Sequence, residues 1–263
     1  VDADPGGHPA GQVELIPRPV SGRVFEASWL VRLGDVSPRG RLRLDAAARH
    51  LQDLSSDDTA DVALPDAEAW VVRRTTIEVP VFPTYRESLA MATWCSGTGG
   101  HWAERRTSLR GDRGGHVEAA ALWVHLDTVR GRPRRIPPSF DERYGEAAAG
   151  RRVSARLHHD PAPPQGAETV PWALRVTDFD VLGHVNNAVY WVPIEEALAR
   201  RRDLRAPLRA EVEHRGALEQ GAKAQVVVAA RGEAGLDLWI LDGARVAATA
   251  QVRATNQATR TGR

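Results

Sequence analysis

Thr177-Asp178-Phe179-Asp180-Val181-Leu182-Gly183-His184-Val185-Asn186-Asn187-Ala188-Val189-Tyr190 joins a strand-like run to a helix-like one and gathers Asp178, Asp180, His184, Asn186 and Asn187 into one short connection. Gly183 lies between Asp180 and His184, where the missing Cβ permits a sharp turn and a close backbone approach to a ligand. The spacing predicts a helix from near His184 to Arg200. The first amides of a helix lack internal partners and carry the positive end of its dipole, so Val185 and Asn186 are expected to offer N–H groups to a carbonyl oxygen. Asp178 and Asn187 are equally suited to capping and turn formation.

On the N-terminal side of this stretch, Thr169 to Val176 is expected to be a strand. On the other side, Leu208 to His214, Ala224 to Ala230, Leu236 to Leu241 and Val246 to Arg253 show strand patterning. The same order stands earlier in the chain. Phe25, Ala27, Trp29, Val31 and Leu33 alternate with polar residues, as on a half-buried strand. Leu44, Ala47, Ala48, Leu51 and Leu54 then recur at helical spacing. Four strand-like runs follow, Trp70 to Val79, Ser88 to Ser96, His101 to Arg110 and Val117 to Leu126, separated by Pro83 and by glycine-rich turns at 97–100 and 111–115. One helix and about five strands, met twice, predict an α+β protein of two tandem hotdog domains, each an antiparallel sheet wrapped around a central helix. The expected organisation is a disordered leader at 1–20, an N-terminal domain at 21–140, a Pro-, Arg- and Ala-rich linker at 141–168, a C-terminal domain at 169–255 and a tail at 256–263.

The 263 residues suit one large domain or two smaller ones, and 42% hydrophobic with 26% charged residues is ordinary for a globular protein. Lys223 is the only lysine; the arginine bias reads as genome composition. The lone cysteine, Cys95, excludes an intrachain disulfide and suits a reducing cytoplasm. It is expected to be a buried filler. No run is long and apolar enough for a membrane helix, and none resembles a signal peptide. The near-balanced charge of +1 and the lack of a recognised binding motif argue against nucleic acid. His158-His159 has no third ligand in register, so no metal is expected. The glycine-rich turns lack a phosphate-loop lysine, so no nucleotide cofactor is implied either.

The pattern Asp-x-x-Gly-His-Val-Asn-Asn-x-x-Tyr over 180–190 resembles the signature of hotdog thioesterases. His50-Leu51-Gln52-Asp53, Trp70-Val71-Val72-Arg73-Arg74 with Ile77-Glu78-Val79, and Arg134-Arg135-Ile136-Pro137 are similar to the acyl-ACP thioesterases in particular. The resemblance implies hydrolysis of fatty acyl thioesters carried on acyl carrier protein or coenzyme A. In it Asp180 is general base or nucleophile, His184 exchanges protons or orients water, and Gly183, Val185, Asn186 and Asn187 form the carbonyl-binding turn. The N-terminal domain, with Asp35 in the comparable turn but no Gly-His-Val-Asn-Asn, is expected to hold the acyl chain through Leu51, Leu54, Trp70 and Val72. Plain core packing is the simpler expectation for each of those four taken singly. Two departures from the plant enzymes stand out. Leu182 replaces an asparagine, and Ala217 falls where a glutamate is expected, leaving Glu219 as the candidate substitute. These departures favour the alternative of a noncatalytic acyl-binding protein. Arginines at 130–135 and 200–209 suit an acidic carrier protein, and both monomer and homodimer are compatible with two fused hotdogs.

Overall fold

The computed structural model describes residues 13–64, 70–127, 129–201 and 203–255. The expected tail lies outside these residues, as does most of the expected leader. One large antiparallel sheet organises the chain. In its first half are β1 (Phe25–Leu30), β2 (Trp70–Val81), β3 (Ser88–Thr98), β4 (Trp102–Gly111) and β5 (His116–Asp127), with the two-residue β6 (Arg132–Pro133) paired to β5. The second half holds β7 (Thr169–Pro171), β8 (Leu208–His214), β9 (Ala224–Ala230), β10 (Gly235–Asp242) and β11 (Arg245–Ala254). From either edge inward the strands follow the same permutation: β1-β3-β4-β5-β2 from one side, β7-β9-β10-β11-β8 from the other. The halves meet where β2 pairs with β8, from Arg74 opposite Glu213 to Val79 opposite Leu208.

Against one face of the sheet lie α1 (Leu44–Asp61) and the shorter α3 (Val192–Arg200), in contact with each other. The stripe Leu44, Ala47, Ala48, Leu51 and Leu54 of α1 is buried, as its helical spacing requires, and the alanines let the helix approach the strands closely. Leu208, Ala210 and Val212 of β8 enter the same core from the sheet. Each Leu so buried contributes about 1.5–3 kcal/mol.

The alternate residues of β8, Arg209, Glu211 and Glu213, are buried as well, because two extended segments cross the outer face and satisfy them. Arg209 donates to the Val13 carbonyl (2.6 Å) and to Glu78 (2.7 Å), and Arg106 donates to the Ile16 carbonyl (3.0 Å). The 13–16 stretch of the expected leader is thus pinned to the sheet. Glu213 accepts the His158 and His159 N–H groups (2.5 and 3.2 Å), and Arg74 donates to the Arg156 carbonyl (2.9 Å). Buried charges persist only with such partners.

Four sequence expectations change. The segment after β6 forms α2 (Pro138–Ala148), whose Phe140 and Tyr144 pack with Cys95 and Ala103. The expected strand from Thr169 ends at Pro171, and β1 ends at Leu30, so Leu33 sits in a 3-10 turn and is exposed. Most consequential for the site, no helix begins near His184. A 3-10 turn spans Val189–Trp191 and α3 starts only at Val192, with proline in its first turn.

Candidate active site

Residues 175–186 fold into a turn held by its own backbone. Asp178 is buried and accepts the Arg175 N–H (2.8 Å), and the Arg175 guanidinium closes over it (2.8 Å). The Asp180 N–H donates to the His184 carbonyl (2.9 Å) and the Gly183 N–H to the Asp180 carbonyl (3.0 Å). Gly183 takes φ +75°, the left-handed conformation that makes glycine the natural residue there. Nothing presses on the position of its absent Cβ, so its contribution is the bend and not close approach to a ligand.

The amides at Val185 and Asn186 do not serve as expected. The Val185 N–H donates to the Leu218 carbonyl (2.8 Å) and the Asn186 N–H to the Asp178 carbonyl (2.9 Å). The Val185 side chain lies in the core, and the Asn186 side chain accepts the Ala188 N–H (3.0 Å). Both residues build the turn. The open amide is the next one: among the described residues the Asn187 N–H has no acceptor.

A cavity of about 520 Å³ opens on this turn, bordered there by Asp180, Val181, Leu182 and Asn187. It runs into the N-terminal half between α1, through Gln52, Ser55, Ser56 and Thr59, and an aromatic wall of Trp70, Trp123 and Phe140. A narrow inner pocket touches Leu51, Val72, Gln52, Trp123 and Asn187. Of the expected acyl-contacting residues, Trp70 therefore lines the cavity and Leu51 and Val72 the inner pocket. Leu54 lines neither and belongs to the core.

One carboxylate oxygen of Asp180 accepts the Leu182 N–H (2.9 Å), leaving the other for chemistry at the cavity mouth. His184 is half-buried and does not border the cavity; its backbone bridges to Glu219. Glu219 itself is exposed and also lies off the cavity. Tyr190, which closes the motif, braces the turn: its buried hydroxyl accepts the Leu218 N–H (3.1 Å), and burial pushes its pKa up to about 12, keeping it neutral. Burial likewise pushes the Cys95 thiol, on the cavity wall, up to about 11, which holds it in the thiol form near neutral pH.

Outside the site, His159 meets two carboxylates that no sequence spacing revealed, Glu211 (3.3 Å) and Glu213 (4.0 Å). Their oxygens are already engaged by Thr76, by two backbone N–H groups and by Arg215 (3.1 Å), which makes the cluster a clamp on the crossing segment.

The sequence matches the acyl-ACP thioesterase N-terminal domain over residues 22–144 and the C-terminal domain over residues 163–253. It is 31% identical to an uncharacterised Mycobacterium tuberculosis protein over 208 residues, covering 79% of this chain and 83% of that one. It is 26% identical over 199 residues to a chloroplastic dodecanoyl-[acyl-carrier-protein] hydrolase of Umbellularia californica, covering 65% of this chain and 50% of the plant protein. Among solved structures, the 12:0-ACP thioesterase of Umbellularia californica superposes with a TM-score of 0.74 at 21% identity, over 89% of this chain and 98% of that one. An acyl-ACP thioesterase from Bacteroides thetaiotaomicron gives the same score at 16% identity, over 88% and 97%. These structures share the hotdog fold. The chain belongs to the acyl-ACP thioesterase family and is a thioester hydrolase.

Proposed function

We propose that the protein hydrolyses fatty acyl thioesters carried on acyl carrier protein or coenzyme A, releasing the free acid, at a single site formed by the 178–187 turn. The fold is read as two hotdog units in tandem, 21–140 and 169–255, with the 141–168 segment between them. The shared strand permutation of the two halves supports that reading.

The observation that carries the function is the cavity with one end at Asp180 and Asn187 and its body among Trp70, Trp123 and Phe140. It places a carboxylate, and a residue whose backbone N–H has no acceptor among the described residues, beside a recess. There Trp70, Trp123, Phe140 and Leu64 form an apolar wall opposite the polar Gln52, Ser55, Ser56 and Thr59, a surface against which an acyl chain can pack. The carbonyl oxygen docks on the Asn187 N–H, which is set to receive the charge that develops there. Asp180 takes a proton from water as the water attacks the carbonyl carbon. The carbon–sulfur bond breaks, and the proton passes to the departing thiolate. His184 sits at the far side of the same turn and positions it. Glu219, exposed and away from the cavity, has no part in this scheme.

The test is a graded panel of acyl-ACP and acyl-CoA substrates with thiol release as readout, run on the wild type and on Asp180→Asn. The wild type is expected to release thiol, and the variant to lose about 10²–10⁴-fold in kcat, the usual worth of a general base. Equal turnover by both proteins would remove Asp180 from the mechanism. Acyl binding without any release would establish the noncatalytic alternative.

A further inference from the structure

The two halves carry the same turn, residue for residue. Asp35 corresponds to Asp178, Ser37 to Asp180, Gly40 to Gly183, Arg41 to His184 and Arg43 to Asn186, at one constant separation along the chain. The hydrogen bonds coincide. The Ser37 N–H donates to the Arg41 carbonyl (2.8 Å), the Gly40 N–H to the Ser37 carbonyl (2.8 Å) and the Arg43 N–H to the Asp35 carbonyl (2.9 Å), each matching a bond of the 178–186 turn. Gly40 has φ +78°. The next residue in each half is Leu44 and Asn187, and the same separation pairs Gln52 on α1 with Glu195 on α3.

In the N-terminal half the amide after the turn is blocked. The Leu44 N–H donates to Glu195 (2.6 Å), and Arg41 grips the same carboxylate with both terminal nitrogens (3.0 and 2.8 Å). A negatively charged oxygen, supplied by the helix of the other half, thus rests on a backbone N–H beside the side chain that follows the turn glycine. An oxyanion would need that same place in the C-terminal half. There the Asn187 N–H is open, His184 stands where Arg41 does, and Gln52 stands where Glu195 does. Gln52 borders both the cavity and the inner pocket alongside Asn187. Its Oε1 is enclosed without a partner, and among the described residues no hydrogen bond holds either end of the amide, so the group is free to turn its N–H toward the cavity that Gln52 borders.

We propose that Gln52 is a catalytic residue supplied by the N-terminal half, its side-chain N–H joining the Asn187 N–H on the thioester oxygen. The assignment rests on the hydrolase reading above and adds a second donor to it. A neutral amide at this place donates to the oxygen. A carboxylate would instead accept from Asn187 and fill the site from within, as Glu195 does opposite.

Four proteins, wild type, Asp180→Asn, Gln52→Ala and Gln52→Glu, are compared in kcat and KM on one acyl thioester and in thermal midpoint. Gln52→Ala is expected to lose about 10²-fold in kcat with KM within a few-fold, the effect of deleting one oxyanion donor. Gln52→Glu is expected to lose at least as much while its midpoint holds or rises, an outcome that a merely structural glutamine would not give. If Gln52→Ala folds poorly, the near-isosteric Gln52→Glu decides alone. A wild type without turnover overturns the hydrolase reading and this assignment together. An active wild type with a crippled Asp180→Asn, and with either Gln52 variant within threefold of wild-type kcat, overturns this assignment only.

Discussion

The turn at 32–44 and the turn at 175–187 share a backbone and differ in what that backbone presents. Each has a buried aspartate accepting the N–H of an arginine three residues earlier, Asp35 from Arg32 (2.9 Å) and Asp178 from Arg175 (2.8 Å), and each has a left-handed glycine. On that frame Ser37 corresponds to Asp180, Arg41 to His184, Leu44 to Asn187 and, on the two helices, Gln52 to Glu195. The first set closes on itself through an ion pair. Among the described residues the second leaves one carboxylate oxygen of Asp180, the Asn187 N–H and the Gln52 side-chain amide without partners, on three residues that border a cavity. The hydrogen-bonded frame is therefore structural, and a handful of exchanged side chains separates a sealed turn from a chemically open one.

The largest effect should come from exchanging the residue that differs most in chemistry. Ser37 and Asp180 make the same local contact, the Ser37 hydroxyl accepting the Arg39 N–H (3.3 Å) and Asp180 accepting the Leu182 N–H (2.9 Å). Asp180→Ser therefore keeps the turn but removes the base, and its kcat should fall about 10²–10⁴-fold. Ser37→Asp should leave kcat within twofold of wild type, because Ser37 borders neither the cavity nor its inner pocket. Matching losses in the two variants, measured by thiol release, would show that the halves are not divided in this way.

A second break in the comparison removes the seal. Glu195→Ala leaves the Leu44 N–H and the Arg41 guanidinium without their shared acceptor. Because the Glu195 and Arg41 side chains keep 11% and 27% of their exposure, solvent repays part of the loss, and the cost should be about 1–3 kcal/mol. It would be read as a lower urea midpoint at unchanged slope. Catalytic turnover should hold, since Glu195 borders neither pocket. An unchanged midpoint would mean that the ion pair does not fasten the two helices.

How much of this could be read in advance depends on where the signal lies. The strands Leu208–His214 and Ala224–Ala230 were legible to the residue, the first because Leu208, Ala210 and Val212 alternate with charged residues and the second as a short apolar run, whereas at Phe25–Leu33 the same period of two overran the strand, which ends at Leu30. The start of α3 was not, although Pro193 marked it: proline suits a first helical turn and ill suits an interior. Upstream, Asn186 ties the Ala188 N–H to its own side chain, which favours a tight turn over a helix. The same kind of signal stood before α2, where Pro138 precedes Phe140 and Tyr144, two aromatics on one face at helical spacing. Asp180 and Asn187, which border the cavity, were legible as candidates because the motif concentrates polar groups in one loop. Gln52 was not, because a lone glutamine on an amphipathic helix resembles a solvated residue until the opposite half is folded against it. Glu219 was a candidate from its place in the chain alone, and the structure puts it exposed in a loop bridged to His184, off the cavity.

The smallest effect isolates the frame itself. Gly40 and Gly183 have nearly the same positive φ and open space at the Cβ position, so Gly40→Ala and Gly183→Ala meet no clash and pay only for left-handed backbone, roughly 1–2 kcal/mol each. Their unfolding midpoints should fall together. Their activities should part, because relaxation at Gly183 shifts the Asp180 and Asn187 backbone at the cavity mouth, whereas relaxation at Gly40 moves a turn that Glu195 and Arg41 already hold shut. Equal stability losses with a kcat decrease in Gly183→Ala alone would place the whole difference between the halves in side chains carried on one common frame. Unequal stability losses would show that the two frames are strained to different degrees, and the correspondence between them would then be one of sequence order and not of energy.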